Sequence, residues 1–214
     1  MPATPAHVRA VPAGPSDAAL VVAARAGEHW AFEALYRRYG DMVHGLVYRL
    51  TGGGADVDDL VQDSFVQAFR SLEGLEDPNV FRSWLWGVTA RTTGKLLRRH
   101  RLLSRLGLRR REAPIDFDAI VGRECPPDVY PELRALYTTL GAMPADARVA
   151  LILRRVEGHG LDEIARAMNL SLATVKRRIA VGDRILAESR EDMRDEHDRR
   201  DQRRDQTTKT GGAR

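Results

Sequence analysis

Apolar residues recur along this chain at intervals of three and four, and no strand-length run alternates apolar with polar. That spacing puts one apolar face on each helix. Asp17 is placed to cap a first helix that stops at Gly27. Helices are predicted over about 17–26, 29–50, 55–72 and 80–100. In the second, Trp30, Phe32, Leu35, Tyr36, Tyr39, Val43, Leu46, Val47 and Leu50 share a broad apolar face, which TGGG at 51–54 ends. The third buries Val61, Phe65, Ala68, Phe69 and Leu72, and its acidic opening, ADVDD, suits a positive helix N-terminus. The fourth follows the loop EGLEDPN and carries the stripe Phe81, Trp84, Leu85 and Val88, with Trp86 off it.

The pattern lapses around Pro114, Pro126 and Pro127, then resumes with helices at about 131–141, 144–156, 161–168 and 172–188. The expected fold class is all-α, with two small helical domains: a four-helix domain at 17–100 and a helix-turn-helix domain at 130–189. A flexible linker at 101–129 joins them, and disordered tails at 1–16 and 190–214 flank them.

The stretch GLDEIARAMNLSLATVKRRI, 160–179, has helix-turn-helix proportions. Leu161, Ile164, Ala165 and Met168 make an inner face, Asn169-Leu170-Ser171 a short turn, and Ser171 a cap for the next helix. Ser171, Thr174, Lys176, Arg177 and Arg178 then occupy the turns from which a recognition helix reaches DNA. Basic charge gives way to Ala180, Val181, Gly182 and Asp183, as expected if the helix meets DNA chiefly near its N-terminus.

Charge is modest in total and uneven in place. The 214 residues carry a formal net charge of +4, yet KLLRRHRLLSRLGLRRR at 95–111 holds eight Lys/Arg and no acid. Such a block favours a polyanionic partner. The fourth helix sets aromatics beside arginines, a combination that stacks on unpaired bases. Whether Phe81 and Trp86 do so or simply fill a small core is left open by the pattern. Asp59, Gln62, Asp63 and Val66 form a second face on the third helix, poor for DNA and suited either to solvent or to a protein partner.

The segments FEALYRRYGDMV, DDLVQDSFVQAFRSL, FRSWLWGVTART and MPADARVALILRRVEGHGLDEIARAMNLSLATVKRRI, in that order, resemble extracytoplasmic-function (ECF) sigma factors of bacterial RNA polymerase. The resemblance covers both domains. It implies that Asp59, Gln62, Asp63 and Val66 meet core RNA polymerase. It implies that a flipped base of the −10 element is captured at about Leu75 through Phe81. Phe81, Arg82, Trp86, Arg91, Lys95, Arg98 and Arg99 would hold the melted strand and upstream duplex, and Ser171, Thr174, Lys176, Arg177 and Arg178 would read the −35 element. It further implies an anti-sigma protein as a candidate partner. Two positions depart from the family pattern: Arg91 stands where Asn is frequent, and Ala180-Val181 where an aromatic or His precedes Arg.

No triad, phosphate-cradling glycine loop or metal-ligand cluster is legible, so no enzyme activity, cofactor or metal is expected. No run reaches the ~18–20 apolar residues of a membrane span. The single cysteine, Cys125, and an N-terminus without a secretion signal fit the cytoplasm. The competing reading is a stand-alone helix-turn-helix regulator, which leaves the acidic third helix and FRSWLW unexplained. A nuclease would use the carboxylates at 56–63, which lie near no nucleophile.

Overall fold

The computed structural model describes residues 14–54, 56–108 and 129–211. Their regular structure is helical. The elements are α1 (Asp17–Arg25), α2 (His29–Thr51), α3 (Val57–Arg70), α4 (Phe81–Arg105), α5 (Tyr130–Ala142), α6 (Ala145–Arg155), α7 (Leu161–Met168) and α8 (Leu172–Gly211). Two 3₁₀ turns, Leu72–Gly74 and Pro78–Val80, lie between α3 and α4.

The boundaries have local causes. Ser16, not Asp17, caps α1, its Oγ accepting from the Ala19 N–H at 3.2 Å. Asp17 is instead the first helical residue, and its carboxylate accepts from both Arg38 and the Tyr39 hydroxyl. Gly27 and Gly52 stop α1 and α2 at φ +85° and +82°, a region costly to residues with a Cβ. Asn169 makes the sharp turn between α7 and α8 with φ +53°, and Ser171 Oγ accepts from the Thr174 N–H at 3.2 Å.

The first core gathers Leu20, Leu35, Val43, Phe65, Phe81 and Leu85 between α1, α2, α3 and the start of α4. The second gathers Leu140, Val149, Leu153, Ile164, Val175 and Ile179 from α5 to α8. This second core does not close on itself. Leu46 and Leu50 of α2 and Trp86 and Ala90 of α4 are buried in it. Helix α4 therefore has two buried faces, one for each core, and the two helical units pack directly together.

Two expectations change here. Helix α8 continues to Gly211, whereas a tail was expected from 190; no Gly or Pro stands between Asp183 and Thr210 to break it. Helix α4 runs to Arg105, five residues beyond the predicted end and into the predicted linker. Residues 1–13 of the expected N-terminal tail, and 109–128 of the linker with Cys125, lie outside the described residues. No described helix is long and apolar enough to cross a membrane.

Candidate polymerase and nucleic-acid interfaces

On α3, Asp59, Gln62 and Asp63 are exposed and Val66 half-buried, all turned away from the first core. The face does not end at α3. A groove beside it is lined by Tyr36, Asp41 and His44 of α2 together with Asp58, Val61 and Gln62. Asp41 and His44 escape one-helix periodicity because they join the surface only once two helices are packed side by side, and Tyr36, expected on the apolar face of α2, is half-exposed here with its ring 4.6 Å from that of Phe65.

The loop before α4 is held from both ends. Leu72 and Leu75 are buried anchors, and the Arg25 guanidinium donates to the Leu72 carbonyl at 3.0 and 3.2 Å and to the Leu75 carbonyl. Asp77 accepts from the Asn79 backbone N–H at 2.9 Å and from its side-chain amide at 2.8 Å. Those two donors hold the Asp77 carboxyl below its ordinary range. Glu76, Asp77, Asn79 and Val80 are left exposed on a braced loop.

The aromatics of α4 resolve differently from the predicted stripe. Phe81 is wholly buried against Tyr39, with ring centroids 5.5 Å apart, so it fills the core and does not face a melted strand. Trp84, predicted in the core, is only half-buried. Trp86 is buried under the second domain, its ring 3.7 Å from that of His159. Its indole N–H is buried without an acceptor among the described residues, a situation that costs about 1–3 kcal/mol. Neither Phe81 nor Trp86 is presented to a nucleic acid in this arrangement.

Arg82, Lys95 and Arg99 are exposed. Arg91, Lys95 and Arg99 form one wall of a groove whose other wall includes Asp63 and Gln67 of α3. Arg91 also reaches across to the second domain, its Nη1 donating to the Ala167 carbonyl at 2.5 Å, and partial burial lowers its pKa. Arg98 Nη1 contacts Asp146 Oδ1 at 2.6 Å. His100, within the same basic run, lies 3.9 Å from Asp56 with its side chain mostly buried.

In the helix-turn-helix, Ser171, Lys176 and Arg177 are exposed and Thr174 is partly so, its hydroxyl 2.8 Å from Ser171 Oγ. Arg178 is turned toward α6, with Nη2 3.4 Å from Asp146 Oδ2. The halt in basic charge has a packing cause. A Cβ on buried Gly182 would sit 3.2 Å from Leu151 and 3.4 Å from Met143, so this turn of α8 presses on the helices behind it. Asp183 pairs there with Arg155 at 3.1 Å. Among the described residues, no group of three His, Cys, Asp or Glu side chains could hold a metal ion.

Residues 35–102 match the family model for sigma-70 region 2, and residues 133–181 the model for sigma-70 region 4. The chain is 30% identical over 178 residues to an ECF RNA polymerase sigma-E factor of Escherichia coli K12, covering 77% of this chain and 88% of that one. It is 31% identical over 160 residues to ECF RNA polymerase sigma factor SigE of Mycolicibacterium smegmatis, covering 73% of this chain but only 60% of that longer relative. Among solved structures, CnrH in complex with the cytosolic domain of CnrY superposes with a TM-score of 0.54 at 27% identity, over 81% of this chain and 96% of that one. RpoE of Bartonella quintana, in complex with the anti-sigma factor NepR, shares the fold with a TM-score of 0.56 at 19% identity, over 75% and 96% of the two chains.

Proposed function

The chain belongs to the ECF family of RNA polymerase sigma factors, and from that premise we propose how its surfaces divide promoter recognition. The exposed acidic face of α3, Asp59, Gln62, Asp63 and Val66, with the adjoining α2 groove, docks on core polymerase. The braced loop from Leu75 to Val80 takes the flipped base of the −10 element. Flipping costs a few kcal/mol of unstacking, and a loop already pinned by Arg25 and Asp77 loses little further entropy on binding. Arg82, Arg91, Lys95, Arg98 and Arg99 supply the phosphate contacts around it. In the second domain, Ser171, Thr174, Lys176, Arg177 and Arg178 meet the −35 duplex. The catalytic chemistry of initiation belongs to polymerase. The site of action is the cytoplasm, and an anti-sigma protein is the regulatory partner to seek.

The observation that carries this reading is the presence in one chain, in order, of regions 2 and 4 with a connecting segment between them. A stand-alone regulator gives no role to region 2. The test is reconstituted run-off transcription. The purified chain is expected to direct initiation from defined start sites only with core polymerase, and to bind duplex promoter weakly alone. Tight site-specific binding by the polymerase-free chain, or no start-site selection with polymerase, refutes it.

A further inference from the structure

We propose that the apolar groove along the outer face of α1 is the docking site of the chain's own residues 1–13, which strap α1 to the start of α2. The groove shares no residue with the polymerase and promoter surfaces assigned above, so the proposal stands apart from that reading.

Ala19, Val22 and Ala23 of α1 line the groove lengthwise, and Ala26, Glu28 and Trp30 close its far end. Helix α1 turns Leu20, Val21 and Ala24 into the first core, which leaves the groove on its opposite side. Val22 is 58% exposed and Trp30 50% exposed, two large apolar side chains facing one trough whose floor between them is alanine. Exposed apolar side chains gathered in one concavity mark an interaction site, whereas single ones do not. The face of a helix offers no free backbone N–H or C=O, so whatever lies on it must need no ladder of backbone hydrogen bonds. A proline-rich segment meets that condition, because its extended form makes no such bonds.

Position, length and chemistry choose the occupant. The chain enters the fold at the near end of the groove. Arg38 of α2 donates to the Pro15 carbonyl at 2.7 Å and pairs with Asp17, and Ser16 caps α1. The backbone is therefore fixed at the step just before Ala18 and Ala19, which line that end. The nine residues of α1 are about 13 Å long, and 13 residues reach at most about 45 Å. A segment that doubles back at Gly14-Pro15 can thus run the length of α1 as far as Trp30. Its sequence, MPATPAHVRAVPA, supplies Pro2, Pro5, Pro12, Val8 and Val11 and contains no acid. Grooves that bind proline-rich segments present aromatic faces to the proline rings, and Trp30 offers one. Glu28 is exposed and pairs with no cation among the described residues, and Arg9 complements its charge. A short tether gives the segment an effective concentration on the order of millimolar, which an untethered partner or a second copy must exceed.

A spin label tests this in the full-length chain. With Cys125→Ser and Ala6→Cys, a nitroxide on residue 6 should bleach the indole N–H resonance of Trp30, assigned by its loss in Trp30→Phe. Trp86, buried elsewhere, serves as the internal reference. Adding Val22→Asp should restore the Trp30 signal at least twofold, and melting temperature should hold because Val22 is exposed and outside the core. The same substitution should speed tryptic cleavage after Arg9 at least fivefold, read by intact mass. An unbleached Trp30 overturns the proposal. So does bleaching that Val22→Asp leaves unchanged, which would reflect the tether alone. Bleaching seen only when labelled chain is mixed with isotope-enriched unlabelled chain would assign the groove to a second copy and overturn it as well. None of these readouts involves polymerase or DNA, so their failure is distinguishable from failure of the promoter-recognition reading.

Discussion

Arg98 and Arg178 meet on one carboxylate: Arg98 Nη1 lies 2.6 Å from one oxygen of Asp146, and Arg178 Nη2 lies 3.4 Å from the other. In the proposed reading these arginines belong to surfaces for different promoter elements. Asp146 sits in the first turn of α6, where a negative charge is favoured by the helix N-terminus. Its position gives it a second effect, because it neutralises a cation on each side of the domain seam.

Asp146→Asn should therefore release both arginines with little loss of fold. Partly exposed ion pairs contribute about 0–1 kcal/mol each, and loss of the helix-terminal charge removes about 0.3–1 kcal/mol. The expected outcome is a two- to fivefold rise in affinity of the free chain for duplex promoter DNA and a steeper salt dependence. Fluorescence anisotropy across a salt series measures both. Unchanged affinity and slope would mean that Asp146 does not compete with phosphate.

Phe81 separates a core role from a nucleic-acid role. Wholly buried between Tyr39 and Trp84, it should cost about 3–5 kcal/mol when truncated to Ala. Phe81→Leu is the more informative change: the melting temperature should fall while initiation per folded molecule is retained. Loss of promoter melting at full stability would return Phe81 to the DNA surface.

The helices were legible because each buries one stripe, and a 3.6-residue period reports one stripe well. Helix α4 is where that logic runs out. Phe81, Leu85 and Val88 face the first core, with Trp84 packed at its margin, while Trp86 and Ala90 face the second, so no single stripe describes it. Gly94 is also a helix-interior glycine, yet a Cβ there would make only ordinary contacts at 3.5 and 3.7 Å. The tight crossing is at Gly87, seven residues earlier, and its partner Ala167 is 80 positions away in the chain. Local pattern carries no signal for such a pairing. The same is true of Gly182, whose neighbours Leu151 and Met143 explain why charge stops midway along the recognition helix.

Alkaline pH should weaken the first domain through Tyr39. Burial, then the hydrogen bond to Asp17 and its charge, push the Tyr39 hydroxyl up to about 12 from 10.0. A raised folded-state pKa means that the folded chain keeps a proton the unfolded chain releases, so stability is full below pH 10 and falls as pH rises toward 12. Denaturant midpoints at pH 9 and pH 11 should differ more for wild type than for Tyr39→Phe. An equal drop in both would show that other groups govern the alkaline limb.

The acidic face of α3 gives a prediction that leaves the fold alone, since Asp59 and Gln62 are exposed and contribute no buried surface. The double substitution Asp59→Ala with Gln62→Ala should weaken core-polymerase binding at least tenfold. Melting temperature and the free chain's affinity for −35 duplex should stay within error of wild type. Polymerase affinity measured by competition against a labelled wild-type chain is the direct check. An unchanged affinity would assign this face to solvent and shift attention to the α2 side of the groove, where Asp41 and His44 lie.

Lys176 and Arg177 are adjacent, exposed and equally charged, yet they should fail in different ways. An arginine fork can read guanine O6 and N7 bidentately, whereas a lysine acts as a point charge on phosphate. Arg178 is set apart from both because part of its guanidinium already faces Asp146. Arg177→Ala should cost about 1–3 kcal/mol and relax preference at one base pair of the −35 element. Lys176→Ala should weaken binding evenly across sequences and reduce the salt slope by about 1. Holoenzyme binding to a panel of single-base −35 variants, repeated at two salt concentrations, distinguishes the two. If both substitutions lower affinity evenly and leave base preference intact, then neither side chain reads a base. The −35 specificity would then have to come from Ser171, Thr174 or the shape of the duplex itself.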